Sequence, residues 1–435
     1  MVTIFSPNLP HISEHILSFL STEALLKCKD VSKLWYEIAS KIILKRWGDK
    51  SLQTAYFGQD AELFLFLKKH MNQEDFDWNA AQSGSDHKIT AFIHHCKVGN
   101  VKMVKLLLQL SKNEEIDLNT RCSVSGYNAF MFACNMNHTD VVKSILDNNN
   151  GNIDFNAESE DGITAFMDAC REGHTDIVKL LLDFSEARDI DLNGTNNKGC
   201  TGFMEAIKAG QTEIVKLLLD SLETKQIETH TWDNDGRTPL MLTLCKKEKE
   251  NTQILQLLLE DKTIDLHINQ VDDAGDTALM MACKNDFTFG IEKLLQYSGI
   301  DCNIKDPYGV TPFMVACKPN YKMAVGMKPR SIYPTPVLLF LNSSNTTNID
   351  LNARDFNGCT AFMRACLSND IKMVQTLLTY SLTNDNIDVN AADDRGRTGL
   401  MLACEKRLND MVQLILDHSV NIEIQLPSWD ILMLN

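Results

Sequence analysis

The sequence predicts an all-α solenoid of stacked helix-turn-helix units, preceded by a small three-helix bundle. Three observations predict it. A signature recurs along most of the 435 residues, as in "ITAFMDACREGHTDIVKLLL" at 163–182 and "CTAFMRACLSNDIKMVQTLL" at 359–378. Apolar positions within each copy fall at helical spacing. Residues 9–47 also show helical apolar spacing, but without the signature. Repeat arrays grow by adding units, so this length does not demand several separate cores.

Taking the signature threonine as position zero, its equivalents are Thr90, Asn128, Thr164, Thr201, Thr238, Thr277, Thr311, Thr360 and Thr398. Two places on stand Phe92, Phe130, Phe166, Phe203, Leu240, Leu279, Phe313, Phe362 and Leu400. Three places on stands Ile93, followed in the later copies by Met131, Met167, Met204, Met241, Met280, Met314, Met363 and Met401. Positions +2, +5 and +6 share one helical face, and a small +5 residue lets a neighbour approach. A second apolar stretch such as "IVKLLL" follows, then an extended "IDLN" segment, as at Ile190–Asn193 and Ile349–Asn352. Glycine or asparagine marks most inter-helix turns, where a left-handed residue is needed. Lys247, Asp286 and Arg407 hold that slot elsewhere, so those turns are expected to be built differently or strained.

The +6 column reads Cys96, Cys134, Cys170, Ile207, Leu244, Cys283, Cys317, Cys366 and Cys404. A metal ligand could not be exchanged for Ile or Leu in mid-array, whereas a small packing group could. The column is therefore expected to be core, and so is the Met column beside it. No C-x-x-C pair occurs among the 13 cysteines, which removes the common zinc and iron–sulfur spacings. No metal or cofactor is expected. The only tempting trio is His94-His95-Cys96, whose adjacent residues point to different helix faces.

The charge is −16 overall, but residues 1–50 carry +2 and residues 51–435 carry −18. Such a field repels phosphate backbones and argues against nucleic acid as a general partner. No apolar run reaches membrane-spanning length. The first residues lack a basic segment ahead of an apolar core, so they do not read as a secretory leader. The expected compartment is the reducing cytosol or the nucleus. No phosphate loop, H-E-x-x-H or G-x-S-x-G is present, and no catalysis is expected.

The repeat resembles the ankyrin repeat over residues 86–425, in nine units. Two departures stand out: Met replaces the family's +3 histidine, and the units are longer because residues follow the second helix. Residues 51–85 read as a capping half-repeat or linker, and 426–435 as a C-terminal tail.

Residues 1–50 hold the other resemblance. Leu9-Pro10, "ILSFLSTEALL" at 16–26, "VSKLW" at 31–35 and Trp47 resemble the F-box. Leu9-Pro10 lies one residue nearer Ile16 than is usual in that family. The resemblance implies binding to the Skp adaptor of a cullin-RING (SCF-type) ubiquitin ligase through Leu9, Pro10, Ile16, Leu17, Leu20, Leu25, Val31 and Trp35. It also implies that the array holds an unidentified protein substrate. The alternatives are a protein-interaction scaffold unconnected with ubiquitin, and a pathogen-encoded mimic of such receptors.

Two features are candidates for substrate binding. Just after the core cysteine, the +7 column is basic at Lys97, Arg171, Lys208, Lys284 and Lys318. Those cations either recognise an acidic segment or offset helix dipoles. An insertion at 318–336 adds Lys322, Lys328 and Arg330 and four prolines, and is either functional or a tolerated loop. The hairpin tips, in contrast, are acidic at Glu158, Glu160, Asp161, Asp233, Asp235, Asp272, Asp273, Asp393 and Asp394.

Overall fold

The computed structural model describes residues 24–25, 39–43, 57–58, 61–70, 77–81, 88–112, 116–148, 153–245, 249–261, 264–317, 335–343, 349–384 and 386–418. The F-box positions Leu9, Pro10, Ile16, Leu17, Leu20, Val31 and Trp35 lie outside these residues. So do Lys247, Lys318, Lys322, Lys328 and Arg330. Leu25 is described and fully buried.

The chain divides into two units, residues 1–197 and 198–435. In the first, α1 (Ala61–His70) precedes three helix pairs: α2 (Ala91–Val98) with α3 (Val101–Leu110), α4 (Ala129–Asn135) with α5 (Thr139–Leu146), and α6 (Ala165–Glu172) with α7 (Thr175–Arg188). First helices stack on first helices, α2 on α4 on α6, and second helices do likewise, α3 on α5 on α7. α1 packs on α3. Its Phe64 is buried and meets Trp78 edge-on, with Lys68 over the same indole.

The second unit begins with α8 (Gly202–Lys208), α9 (Thr212–Asp220) and the short α10 (Leu222–Lys225). Four further pairs follow: α11 (Pro239–Thr243) with α12 (Lys249–Glu260), α13 (Ala278–Lys284) with α14 (Thr288–Gln296), α15 (Pro312–Ala316) with α16 (Thr335–Leu341), and α17 (Ala361–Leu367) with α18 (Ile371–Asn384). The last pair is α19 (Gly399–Glu405) with α20 (Asn409–His418). The same two layers recur, α8-α11-α13-α15-α17-α19 and, behind it, α12 on α9, α14 on α12, α16 on α14 and α20 on α18. Nine helix pairs thus stand among the described residues, with isolated bridges and no strand.

Position zero proves to be the N-cap of every first helix. Its side-chain oxygen accepts the amide of the +3 residue, at 3.2 Å from Thr277 to Met280 and 2.9 Å from Asn128 to Met131. Thr90, Thr164, Thr201, Thr238, Thr311, Thr360 and Thr398 make the same bond. These caps are buried, so an oxygen must replace the water the helix start has lost. The +3 side chain is then free to pack. Met131, Met167, Met204, Met241, Met280, Met314 and Met363 are buried beside the Phe column, and Met401 is half-buried.

The cysteines follow the same logic. Cys96, Cys134, Cys170, Cys283, Cys317 and Cys366 are buried, and Cys404 is partly so. Burial raises the thiol pKa of each of these seven, to about 12 at Cys366. Such groups stay protonated and unreactive. Among the described residues, no cluster of three or more His, Cys, Asp or Glu could hold a metal.

Among the described residues the inter-helix turn keeps one left-handed geometry whatever residue fills it. Gly99, Gly173 and Gly210 have φ near +75°, while Asn137, Asp286, Asn369 and Arg407 have φ of +59°, +52°, +55° and +59°. Of the two expectations for Asp286 and Arg407, strain within the common turn is the one observed.

Two stability predictions follow from these local features. Thr164→Ala should cost about 1 kcal/mol and Thr164→Asn much less, because Asn128 already caps this way. Arg407→Gly should stabilise by up to about 1 kcal/mol by relieving the left-handed backbone. Chemical denaturation of the variants checks both, and a neutral Thr164→Ala would remove the cap from the energetics.

Candidate protein-binding surface

Between the second helix of one pair and the first helix of the next, the chain makes two turns. The first is the D-x-N turn of the "IDLN" segment. Asp117 Oδ1 accepts the Asn119 amide at 2.8 Å, and Asp154, Asp191, Asp301, Asp350 and Asp388 repeat this local bond. The asparagine then reaches the following turn. Asn79 Oδ1 accepts from Asp117 N, Asn119 from Asp154 N and Asn156 from Asp191 N, each at 2.8 Å. In the second unit Asn269, Asn303 and Asn352 accept from Asp301, Asp350 and Asp388, again at 2.8 Å. The recurrence of D-x-N was the visible signal for this ladder; its role as a link between neighbours was not evident from spacing.

The second turn is the hairpin tip. Its first residue turns the chain by accepting amides two and four places on. Asp233 Oδ1 takes Asp235 N and Arg237 N, at 3.0 and 2.9 Å. Asp272, Asp306, Asp355 and Asp393 do the same, and Ser159 does it with a hydroxyl. Adjacent tips are joined through the backbone, as in Asn197 N to Asp161 O, Asp273 N to Asp235 O and Phe356 N to Tyr308 O. The tip glycine is required twice over. Gly236 has φ +73°, and a Cβ there would lie 2.8 Å from Asp273 Oδ1 and 3.1 Å from its amide nitrogen.

These contacts divide the acidic tips into two classes. Asp233, Asp272 and Asp393 build their turns, and Asp233 and Asp393 are buried. Glu158, Glu160, Asp161, Asp235, Asp273 and Asp394 are exposed. Burial pushes the Asp393 carboxyl up, but the amides of Arg397 and Arg395 and the Arg397 guanidinium at 2.8 Å outweigh it. The net result is a pKa below the usual carboxylate range.

The described members of the basic column are already engaged. Arg171 pairs with the fully buried Asp168 at 2.5 Å, Lys208 with Glu205 at 2.8 Å, and Lys284 with Asp276 at 2.5 Å. Lys97 stands 5.3 Å from the Phe132 ring centroid. A further pair of the same kind joins Arg364 to Asp355 at 2.5 Å, across nine residues and with no spacing signal in the sequence. What the tips present is different in character. Trp232, Tyr308 and Phe356 are 57%, 74% and 71% exposed, and Val271 is 38% exposed. Trp232 and Val271 hold the same register, one place before the turn-forming Asp233 and Asp272. Together with Asn234, Gly236, Gln270 and Asp273 they line a groove of about 530 Å³.

Comparison with known families agrees with this geometry. The model of ankyrin repeats in three copies matches residues 52–159, 149–229, 167–268, 221–306, 247–325 and 334–426. The chain is an ankyrin-repeat protein. An F-box-like domain is matched at residues 8–47, directly ahead of the repeats. Both are typically non-catalytic adaptor and interaction modules. Among solved structures, the chain is similar to the ankyrin repeat domain of Bcl-3, described as a unique member of the IkappaB protein family. Identity there is 23%, covering 54% of this chain and 95% of that one, with a TM-score of 0.46. No curated protein matches. Among the described residues no helix is long and apolar enough to cross a membrane.

The tip of this ankyrin-repeat protein carries a pH prediction. With its folded pKa depressed, Asp393 contributes stability above the unfolded carboxylate pKa, and that contribution fades as pH falls through the folded value. Asp393→Asn should therefore be less stable than the parent near neutral pH, and the gap should narrow in acid. Thermal unfolding measured at several pH values, with a constant gap as the contrary result, decides the point.

Proposed function

We propose that this protein is the substrate-recognition subunit of an SCF-type ubiquitin ligase. Residues 8–47 engage a Skp-type adaptor, and the ankyrin array holds the protein to be ubiquitinated. The observation carrying this reading is the order of modules: an F-box-like domain immediately followed by a long interaction array. The chain supplies no chemistry in this scheme. It raises the effective concentration of a substrate lysine at the ligase-bound conjugating enzyme.

Within the F-box, Leu9, Pro10, Ile16, Leu17, Leu20, Leu25, Val31 and Trp35 are assigned to adaptor contact or its support. Leu25 is fully buried, which fits a supporting role rather than direct contact. On the array, Arg171, Lys208 and Lys284 have their charge offset by adjacent carboxylates, which favours placing capture at the tips rather than along the basic column. A scaffold unconnected with ubiquitin is the second reading, supported by the ankyrin repeats, which imply protein partners whatever the N-terminal module does.

Changing Leu9 and Pro10 together to Ala should weaken adaptor binding by about 2 kcal/mol or more, as loss of central apolar anchors does. The helical signal of the array should persist. Copurification of a recombinant Skp-type adaptor with the parent and the double variant is the measurement. Equal recovery of the adaptor with both, or with neither, argues for the scaffold reading.

A further inference from the structure

We propose that the groove between Trp232 and Val271 seats a lysine or arginine side chain of the protein that the array captures. The proposal rests on the array being a capture surface, and it is independent of any link to ubiquitin. Four observations lead to it.

First, the groove combines apolar and acidic side chains. Among its mainly polar lining, Trp232 and Val271 are the apolar members, and Asp233 and Asp273 the carboxylates. Long basic side chains bury their stems on such surfaces and hold their charged ends at polar groups. A cation over an indole face is attracted by the ring quadrupole as well.

Second, one of the groove's two carboxylates, Asp273, is uncompensated. Asp233 spends both oxygens on its own turn and on Arg237, and Asp235 also pairs with Arg237. Asp273 makes no ion pair among the described residues, and no Lys or Arg lines the groove. At the same register in the following tip, Lys305 directs its ammonium to the carbonyl of Arg354 at 3.0 Å.

Third, the apolar pair is local. The corresponding residues of the next two tips are Lys305 and Arg354, so an adjacent indole and valine are a departure from the column and not a requirement of the turn. More than half of the indole faces solvent without contributing to the core. An exposed aromatic of this kind, flanked by polar residues, is the usual make-up of an interaction site.

Fourth, the wider field has the matching sign. Residues 51–435 carry −18, which steers a basic segment toward the array and repels an acidic one. On the next two tips, Tyr308 and Phe356 are exposed apolar side chains that suit residues flanking the anchored cation.

The test uses the full chain and a fluorescent octapeptide of alternating Lys and Leu, with binding read by polarisation. Controls are the same peptide with acetylated lysines and a Glu-Leu counterpart. Binding should appear with the lysine peptide alone and weaken with salt. Trp232→Ala should weaken it at least about tenfold and Asp273→Asn about threefold, while Trp232→Phe, which keeps a ring face, should lose less than Trp232→Ala. Trp232 is largely exposed, so thermal unfolding of its variants should match the parent.

Equal binding of the acetylated or Glu-Leu peptide, or an unchanged affinity in Trp232→Ala, would overturn the proposal. No binding of the lysine peptide would overturn it as well. Adaptor recovery from the same samples keeps the two readings apart, because lysine-selective binding without adaptor binding removes the ubiquitin reading and leaves the groove assigned.

Discussion

Everything in this fold depends on side chains that satisfy backbone amides between successive helix pairs. A pair of short helices cannot bury its apolar face alone, so each must be held at a fixed rise from the next. Helix packing supplies the attraction, but apolar contact is non-directional and does not fix register. The 2.8 Å bonds from Asn79, Asn119 and Asn156, and from Asn269, Asn303 and Asn352, supply the direction. The threonine caps do the equivalent within each pair, where a buried helix start would otherwise leave amides without water.

This economy explains the charge pattern. Polar atoms near the array interior are spent on the fold: the turn-forming aspartates on amides, and Arg171, Lys208 and Lys284 on buried carboxylates. Asp168 illustrates the cost. Burial raises its pKa, and Tyr127, Arg171 and Asn135 gather around it to offset that penalty. Groups engaged in this way have little left for a ligand. The side chains left exposed at the tips of the second unit include Trp232, Val271, Asp273, Tyr308 and Phe356, and these are the ones proposed for recognition.

The N-terminal module and the array differ in the sign of their charge. The first 50 residues carry +2 against −18 for the remainder. In the proposed capture role, so acidic an array would discriminate by long-range repulsion before contact, and the exposed aromatics would decide affinity at close range. Under that proposal selectivity would reside at the tips, while the buried columns would set only the rise between successive pairs.

The sequence by itself determined the repeat, its nine pairs and the identity of the core columns, because helical periodicity and one-residue-in-column recurrence are local properties. The packing role of the cysteines was legible for the same reason: Ile207 and Leu244 fill the identical slot. The threonine column was visible, but its function as a cap needed the helix boundary one residue later. Only the tertiary structure decided which charges are available. Lys284 meets Asp276 and Arg364 meets Asp355 across eight or nine residues, between a first helix and the tip ahead of it, and no periodicity reveals that. The Trp232–Val271 groove was equally hidden, since its two walls are 39 residues apart in sequence and become neighbours only when successive tips are joined through Asp273 N and Asp235 O. A ligand-sized surface is a relation between turns, and a sequence column describes one turn at a time.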